Sequence, residues 1–264
     1  MPLIKTSNPA LGESTFRNAS GQYGTLNGSA VNGGTIDAAA RMTLNGTINK
    51  TGILLVCCMA TAAWTWYSFL TSGDLSVAGP LVLVGAFGGL IVGLVTSFKK
   101  QWAPVTAPLY ALLEGLVLGG LSAVFNLRYP GIAIEAVGLT FGTLFVMLFL
   151  YRTGIIKVTQ KLRMGIVAAT GGIFLFYMLE LLLSFFHINF TTVNGASTIG
   201  ILFSLFVVGI ASLNLVLDFD FIEQGVTYGV PKYMEWYAAF GIMVTLVWLY
   251  LEILRLLSKL RSRN

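Results

Sequence analysis

The sequence predicts an all-α integral membrane protein, a bundle of seven transmembrane helices. Three observations carry this. Of the 264 residues, 56% are hydrophobic and only 10% are charged, whereas soluble domains carry about 25% charged residues. The mean hydropathy is +0.80, and so few charges cannot cover a water-soluble surface of this size, so the surplus apolar side chains must face lipid. The apolar residues also fall into seven continuous runs, each close to the roughly 20 residues that cross a bilayer as a helix.

Residues 1–40 are rich in Gly, Asn, Ser, Thr and Ala without helical or strand period, which predicts a disordered cytoplasmic tail. Its Asn-x-Ser/Thr triplets, such as Asn18–Ser20 and Asn27–Ser29, carry no meaning on that side of a membrane. No signal peptide is expected, because the first apolar run starts near Gly52 without a cleavage-like flank. The runs lie at about 52–70, 78–98, 105–127, 132–151, 165–186, 198–217 and 235–257. They make a membrane domain over 41–257, followed by a short basic tail at 258–264. Their length and continuity exclude barrel strands, which alternate faces.

The formal net charge of +5 does not point to nucleic acid. Its lysines and arginines cluster beside apolar runs, which is a topology signal. With the N-terminus inside, the inner segments hold Arg41, Lys50, Lys99, Lys100, Arg152, Lys157, Lys161, Arg163 and Lys232, and the outer loops hold Arg128. Arg255, Lys259, Arg261 and Arg263, after the last run, are the exception. The expected location is the cell (inner) membrane, with the lipid bilayer as the first partner.

Gly85, Gly89 and Gly93 form a double GxxxG stripe in the second run, and Gly115 with Gly119 and Gly138 with Gly142 repeat it in the third and fourth. Such stripes let helix backbones approach closely in lipid. The adjacent Cys57 and Cys58 suit neither a disulfide nor a metal site and read as small apolar fillers.

A carboxylate in hydrocarbon needs a partner, water or a proton. Glu114 sits mid-way along the third run, as a functional acid or as a glutamic acid bonding a neighbouring helix. Glu180 lies nearer the outer end of the fifth, with the single histidine, His187, beyond it at the interface. Asp218 and Asp220 end the sixth run, with Glu223 just past it. On the N-inside arrangement they gather acidic oxygens at the cytoplasmic mouth, where hard cations such as Ca²⁺ bind. Lys99 and Lys100 are their expected counter-charges. Glu252 has Arg255 three residues on, at ion-pair spacing. No HExxH, GxSxG or P-loop is present, and the last run has no lysine before Lys259 that could hold a retinal Schiff base. Neither an enzyme nor a resident cofactor is expected.

Four stretches carry a family resemblance: Met42-Thr43 through Lys50-Thr51-Gly52; Pro108 to Gly115 with Gly119; Leu217-Asp218; and Glu235-Trp236-Tyr237-Ala238-Ala239 leading to Arg255. In combination, over roughly residues 40–257, the sequence resembles the bacterial branch of the Bax inhibitor-1 (transmembrane Bax inhibitor motif) family. The resemblance implies six helices around a central seventh and a pH-dependent Ca²⁺ leak. It also implies a proton-sensitive carboxylate pair between the sixth and seventh helices near the cytoplasmic side. Asp218 matches one member; the other falls on Thr245, a departure. Glu252, seven residues further on, lies about 10 Å along the axis and cannot share a proton with Asp218 unless the helices slide. The leading expectation is a cation leak with Asp218, Asp220 and Glu223 at the mouth and Glu114 mid-membrane. The rival is a non-conducting regulator that binds integral-membrane proteases or other membrane proteins through its N-terminal tail, and a solute transporter is a third class.

Overall fold

The computed structural model of the protein describes residues 40–72, 75–186 and 195–263. Residues 1–39, all but the last residue of the expected tail, and His187 lie outside the described residues. Among the described residues the chain forms seven helices long and apolar enough to cross a membrane. They are α1 (Leu44–Ser72), α2 (Leu75–Phe98), α3 (Ala103–Arg128), α4 (Ile132–Arg152), α5 (Gln160–Ser184), α6 (Thr198–Thr227) and α7 (Met234–Arg263). The ends of the bundle are distinguished below as the near face, where α1 begins, and the far face, where α7 ends.

The helix ends follow local chemistry more than hydropathy. Thr159 accepts a hydrogen bond from the Leu162 amide at the start of α5 (3.2 Å), and Ser197 accepts from the Gly200 amide at the start of α6 (3.0 Å), satisfying donors that a first turn leaves free. Gly131 and Gly229, at φ 85° and 62°, turn the chain sharply between α3 and α4 and between α6 and α7, in a region that side chains disfavour.

Two expectations are corrected. The sixth helix does not end at 217: α6 runs to Thr227, so Asp218, Asp220 and Glu223 sit within it. Asp218 is nine residues, or about 14 Å, from the last residue, beyond reach of the C-terminal dipole. At 30 residues, α6 is about 45 Å long against a hydrocarbon core of about 30 Å, so its polar turns extend past the apolar run. Likewise 258–263 are the last turns of α7 rather than a separate tail.

The bundle is built around α7. Of its most apolar stretch 67% is buried, against 44% or less in every other span. It packs on α6, α1, α3 and α4, while α2 leans on α3 and α5 on α6. The expected central helix is therefore present. Just before α1, the chain is stitched to the α6–α7 turn: the Met42 amide donates to the Val230 carbonyl (2.7 Å) and the Lys232 amide to the Ala40 carbonyl (2.9 Å).

Two of the three glycine stripes are contacts. A Cβ on Gly115 would lie 2.2 Å from the Cys58 carbonyl oxygen, one on Gly119 2.3 Å from that of Ala62, and one on Gly85 2.6 Å from that of Leu113. Backbone meets backbone there, joining α3 to α1 and α2. The α4 pair differs, because a Cβ on Gly138 or Gly142 would meet nothing within 4 Å. Overpacking of this kind costs about 1–3 kcal/mol. Gly119→Leu is thus expected to lower the unfolding midpoint of the detergent-solubilised protein, whereas Gly138→Leu should leave it unchanged.

Candidate functional site

Asp218 on α6 and Thr245 on α7 meet inside the bundle. Both are buried, and the Thr245 hydroxyl donates to Asp218 Oδ2 at 2.6 Å. The same hydroxyl lies 3.2 Å from the Gly241 carbonyl one turn back. Its single proton can serve only one acceptor at a time. Among the described residues no lysine or arginine makes an ion pair with Asp218. The hydrogen bond to that carboxyl comes, among the described residues, from a neutral hydroxyl.

The neighbouring acids are bound differently. Asp220 points to α5, where Arg163 pairs with it, and Gln224 donates to the same oxygen at 2.6 Å. Glu223 accepts from the Tyr151 hydroxyl at the end of α4. The expected counter-charges are elsewhere. Lys99 makes no ion pair among the described residues, and Lys100 stands over the Tyr237 ring, 5.6 Å from its centre. Arg163, a residue read only as topology signal, is the cation that Asp220 finds.

Glu235, at the near end of α7, is the most heavily bonded carboxylate and was not singled out from the sequence. It is fully buried. It accepts from the Thr43 amide (2.9 Å) and hydroxyl (2.8 Å), pairs with Lys50 of α1, and pairs with Lys232 at 3.0 Å. Gly46 lies so close that a Cβ there would fall within 2.2 Å of Oε1. The signal was present, since Lys50 and Glu235 both fall in the stretches that carry the family resemblance, but nothing in either stretch shows that they meet.

Toward the far face, Glu252 accepts from the Tyr177 hydroxyl of α5 at 3.0 and 3.1 Å and from Arg255 at 3.2 and 3.3 Å, and Arg255 also donates to Tyr177 at 2.6 Å. The expected Glu252–Arg255 pair is there, closed into a triangle by an aromatic hydroxyl. One further turn pair along the same face of α7, Lys259 is buried and donates to Ser204 (2.8 Å) and the Gly200 carbonyl (3.1 Å) of α6. Arg261 then reaches Glu135 of α4 at 2.5 Å. Glu180 is half-buried on α5, three residues beyond Tyr177.

Glu114 is half-buried and is not brought together with Asp218. It faces α2, where a Cβ on Gly89 would lie 3.0 Å from its Oε1. A cavity of about 460 Å³ opens between α1, α3, α4 and α7, and neither Glu114 nor Asp218 lines it. No group of three or more His, Cys, Asp or Glu side chains that could hold a metal occurs among the described residues.

Seven lipid-length helices, a buried central helix and a set of interior acids paired across helices define a multi-pass α-helical membrane protein. A family model described as Bax inhibitor 1 like matches residues 8–262, nearly the whole chain. The chain belongs to the Bax inhibitor 1-like family. No curated protein and no solved structure matches it.

Removing one partner of a buried ion pair costs about 3–5 kcal/mol, whereas exposed pairs contribute about 0–1 kcal/mol. Glu235→Ala, which strands Lys50, is expected to lower the chemical-denaturation midpoint markedly. Lys232→Ala should shift it little, because half of that side chain is exposed.

Proposed function

We propose that the protein is a passive, proton-linked cation leak of the cell membrane, with its N-terminus cytoplasmic and Asp218 as the controlling carboxyl. Ca²⁺ is the cation that the family resemblance implies. One observation carries this reading: Asp218 is buried between the sixth helix and the central seventh and, among the described residues, is paired with no basic side chain, while a hydroxyl bonds it. Every other acid with a described hydrogen-bond set at this end has a cation or a phenol against it.

The contact can satisfy both protonation states. With Asp218 ionised, the Thr245 hydroxyl donates to the carboxylate. With Asp218 protonated, the acid donates to the Thr245 oxygen and the hydroxyl turns to the Gly241 carbonyl, 3.2 Å away. A proton added to Asp218 thus exchanges a charge-assisted bond for a weaker neutral one between two helices. The family's second carboxyl is replaced here by Thr245, so the like-charge coupling that splits a dyad's titration is absent. In this reading the site titrates as a single acid, and the Arg163–Asp220 and Tyr151–Glu223 contacts hold the near face shut.

A second reading, the non-conducting regulator of membrane proteins, draws on the hydrogen bonds that tie residues 40–42 to the α6–α7 turn. They start the N-terminal segment at the Asp218 end of the bundle. Deleting residues 1–39 separates the two: a leak keeps its flux, and a regulator loses its partner.

Purified protein in liposomes is expected to pass Ca²⁺ with a single-site pH dependence. Asp218→Asn should flatten that profile, and Thr245→Asp should broaden it into two steps, because two carboxyls in contact titrate as a coupled pair. Identical flux and identical pH profiles in the wild type and Asp218→Asn would overturn the assignment.

A further inference from the structure

The cavity between α1, α3, α4 and α7 takes no part in the proposed leak, yet there the bilayer side of the bundle opens toward the central helix. One wall is α1 at Met59 and Ala63, the other α4 at Ile134 and Val137, and the floor is α7 at Met243 and Leu246. Those wall residues are exposed on the outside of the bundle, so the cavity surface continues without a break into the lipid-facing surface.

Its chemistry excludes most occupants. No charged residue lines it. The hydroxyls that do are already engaged: Ser122 and Tyr250 bond each other at 2.5 Å, and Thr140 donates to the Ala136 carbonyl at 2.7 Å. Ordered water needs two to four polar partners, and an ion needs more. A helix, at about 10 Å in diameter, is too wide for the space. The volume of about 460 Å³ equals roughly fifteen liquid-water volumes at ~30 Å³ each. A methylene is of similar size, so this is the space of one fatty acyl chain.

We propose that this cavity is a binding site for one acyl chain of a bilayer phospholipid, inserted between α1 and α4 from the leaflet at the far face until it touches α7. Placed there, the chain lies on Met243, Leu246 and Tyr250, on either side of Thr245 in sequence, and fills the gap that α1 and α4 leave beside the central helix. The site stands independently of the proposed leak.

The test uses the full-length protein in nanodiscs containing a trace of phospholipid with a mid-chain diazirine. Adducts are mapped by mass spectrometry after illumination. The wild type is expected to carry adducts on α7 at Met243, Leu246 or Tyr250, at yields comparable with those at Phe174 and Leu175 on the lipid-facing side of α5. Val137→Trp or Ala63→Trp, each at an exposed lip position, should remove most of the α7 adducts, because the indole takes up space the chain would occupy, and leave the α5 adducts unchanged. Absence of α7 adducts in the wild type would overturn the proposal, as would α7 adducts that neither variant reduces. If a variant also loses the α5 adducts, its fold is damaged, and the wild-type ratio of α7 to α5 adducts decides alone.

Discussion

The constraint on which the structure depends is the burial of α7. A helix enclosed by other helices has no water to solvate its charges, so each ionisable side chain on it must find a partner on a neighbour. Glu235 finds Lys50 and Thr43 at the start of α1. Glu252 finds Tyr177 on α5, and Lys259 finds Ser204 and a carbonyl on α6. These contacts sit at successive depths and tie the central helix to a different neighbour at each, fixing its rotation and its height in the bundle together.

Against that pattern Asp218 stands out. It is buried as the acids of α7 are, but where Glu235 and Glu252 each have a basic partner, Asp218 has only a hydroxyl among the described residues. A neutral donor stabilises a carboxylate far less than a cation does, so either protonation state is tolerated at the contact. A salt-bridged acid such as Glu235 is committed to one charge; in the proposed function Asp218 is the acid that is not. The same reasoning separates Asp220, which pairs with Arg163 of α5; Glu223, bonded by the Tyr151 hydroxyl, differs from Asp218 in being exposed.

The fold was legible in the sequence because hydrophobic run length depends on the bilayer, which does not vary with tertiary context. The helix ends were less so. Hydropathy marks where a span leaves the hydrocarbon, whereas α6 and α7 continue as helices past that boundary with their polar residues satisfied by neighbours, as Lys259 is. The Asp218–Thr245 position was visible through the resemblance, since Thr245 was matched to the helix-7 member of the family's pair and the structure places it against Asp218. Long-range pairings were not visible. Nothing local to Lys50, Arg163 or Tyr177 announces that each will meet an acid more than fifty residues away. The glycines show the same limit, as identical spacing makes Gly115 and Gly119 a backbone contact and leaves Gly138 and Gly142 open.

The most direct measurement is isotope-edited infrared spectroscopy of the protein in lipid, following aspartate carboxyl bands as the pH is changed. One band should disappear in Asp218→Asn and shift in frequency in Thr245→Val, because removing the hydroxyl changes the hydrogen bond that the carboxyl makes. A titrating spectrum that is the same in the wild type, Asp218→Asn and Thr245→Val would show that this carboxyl exchanges no proton, and would contradict the account at its centre.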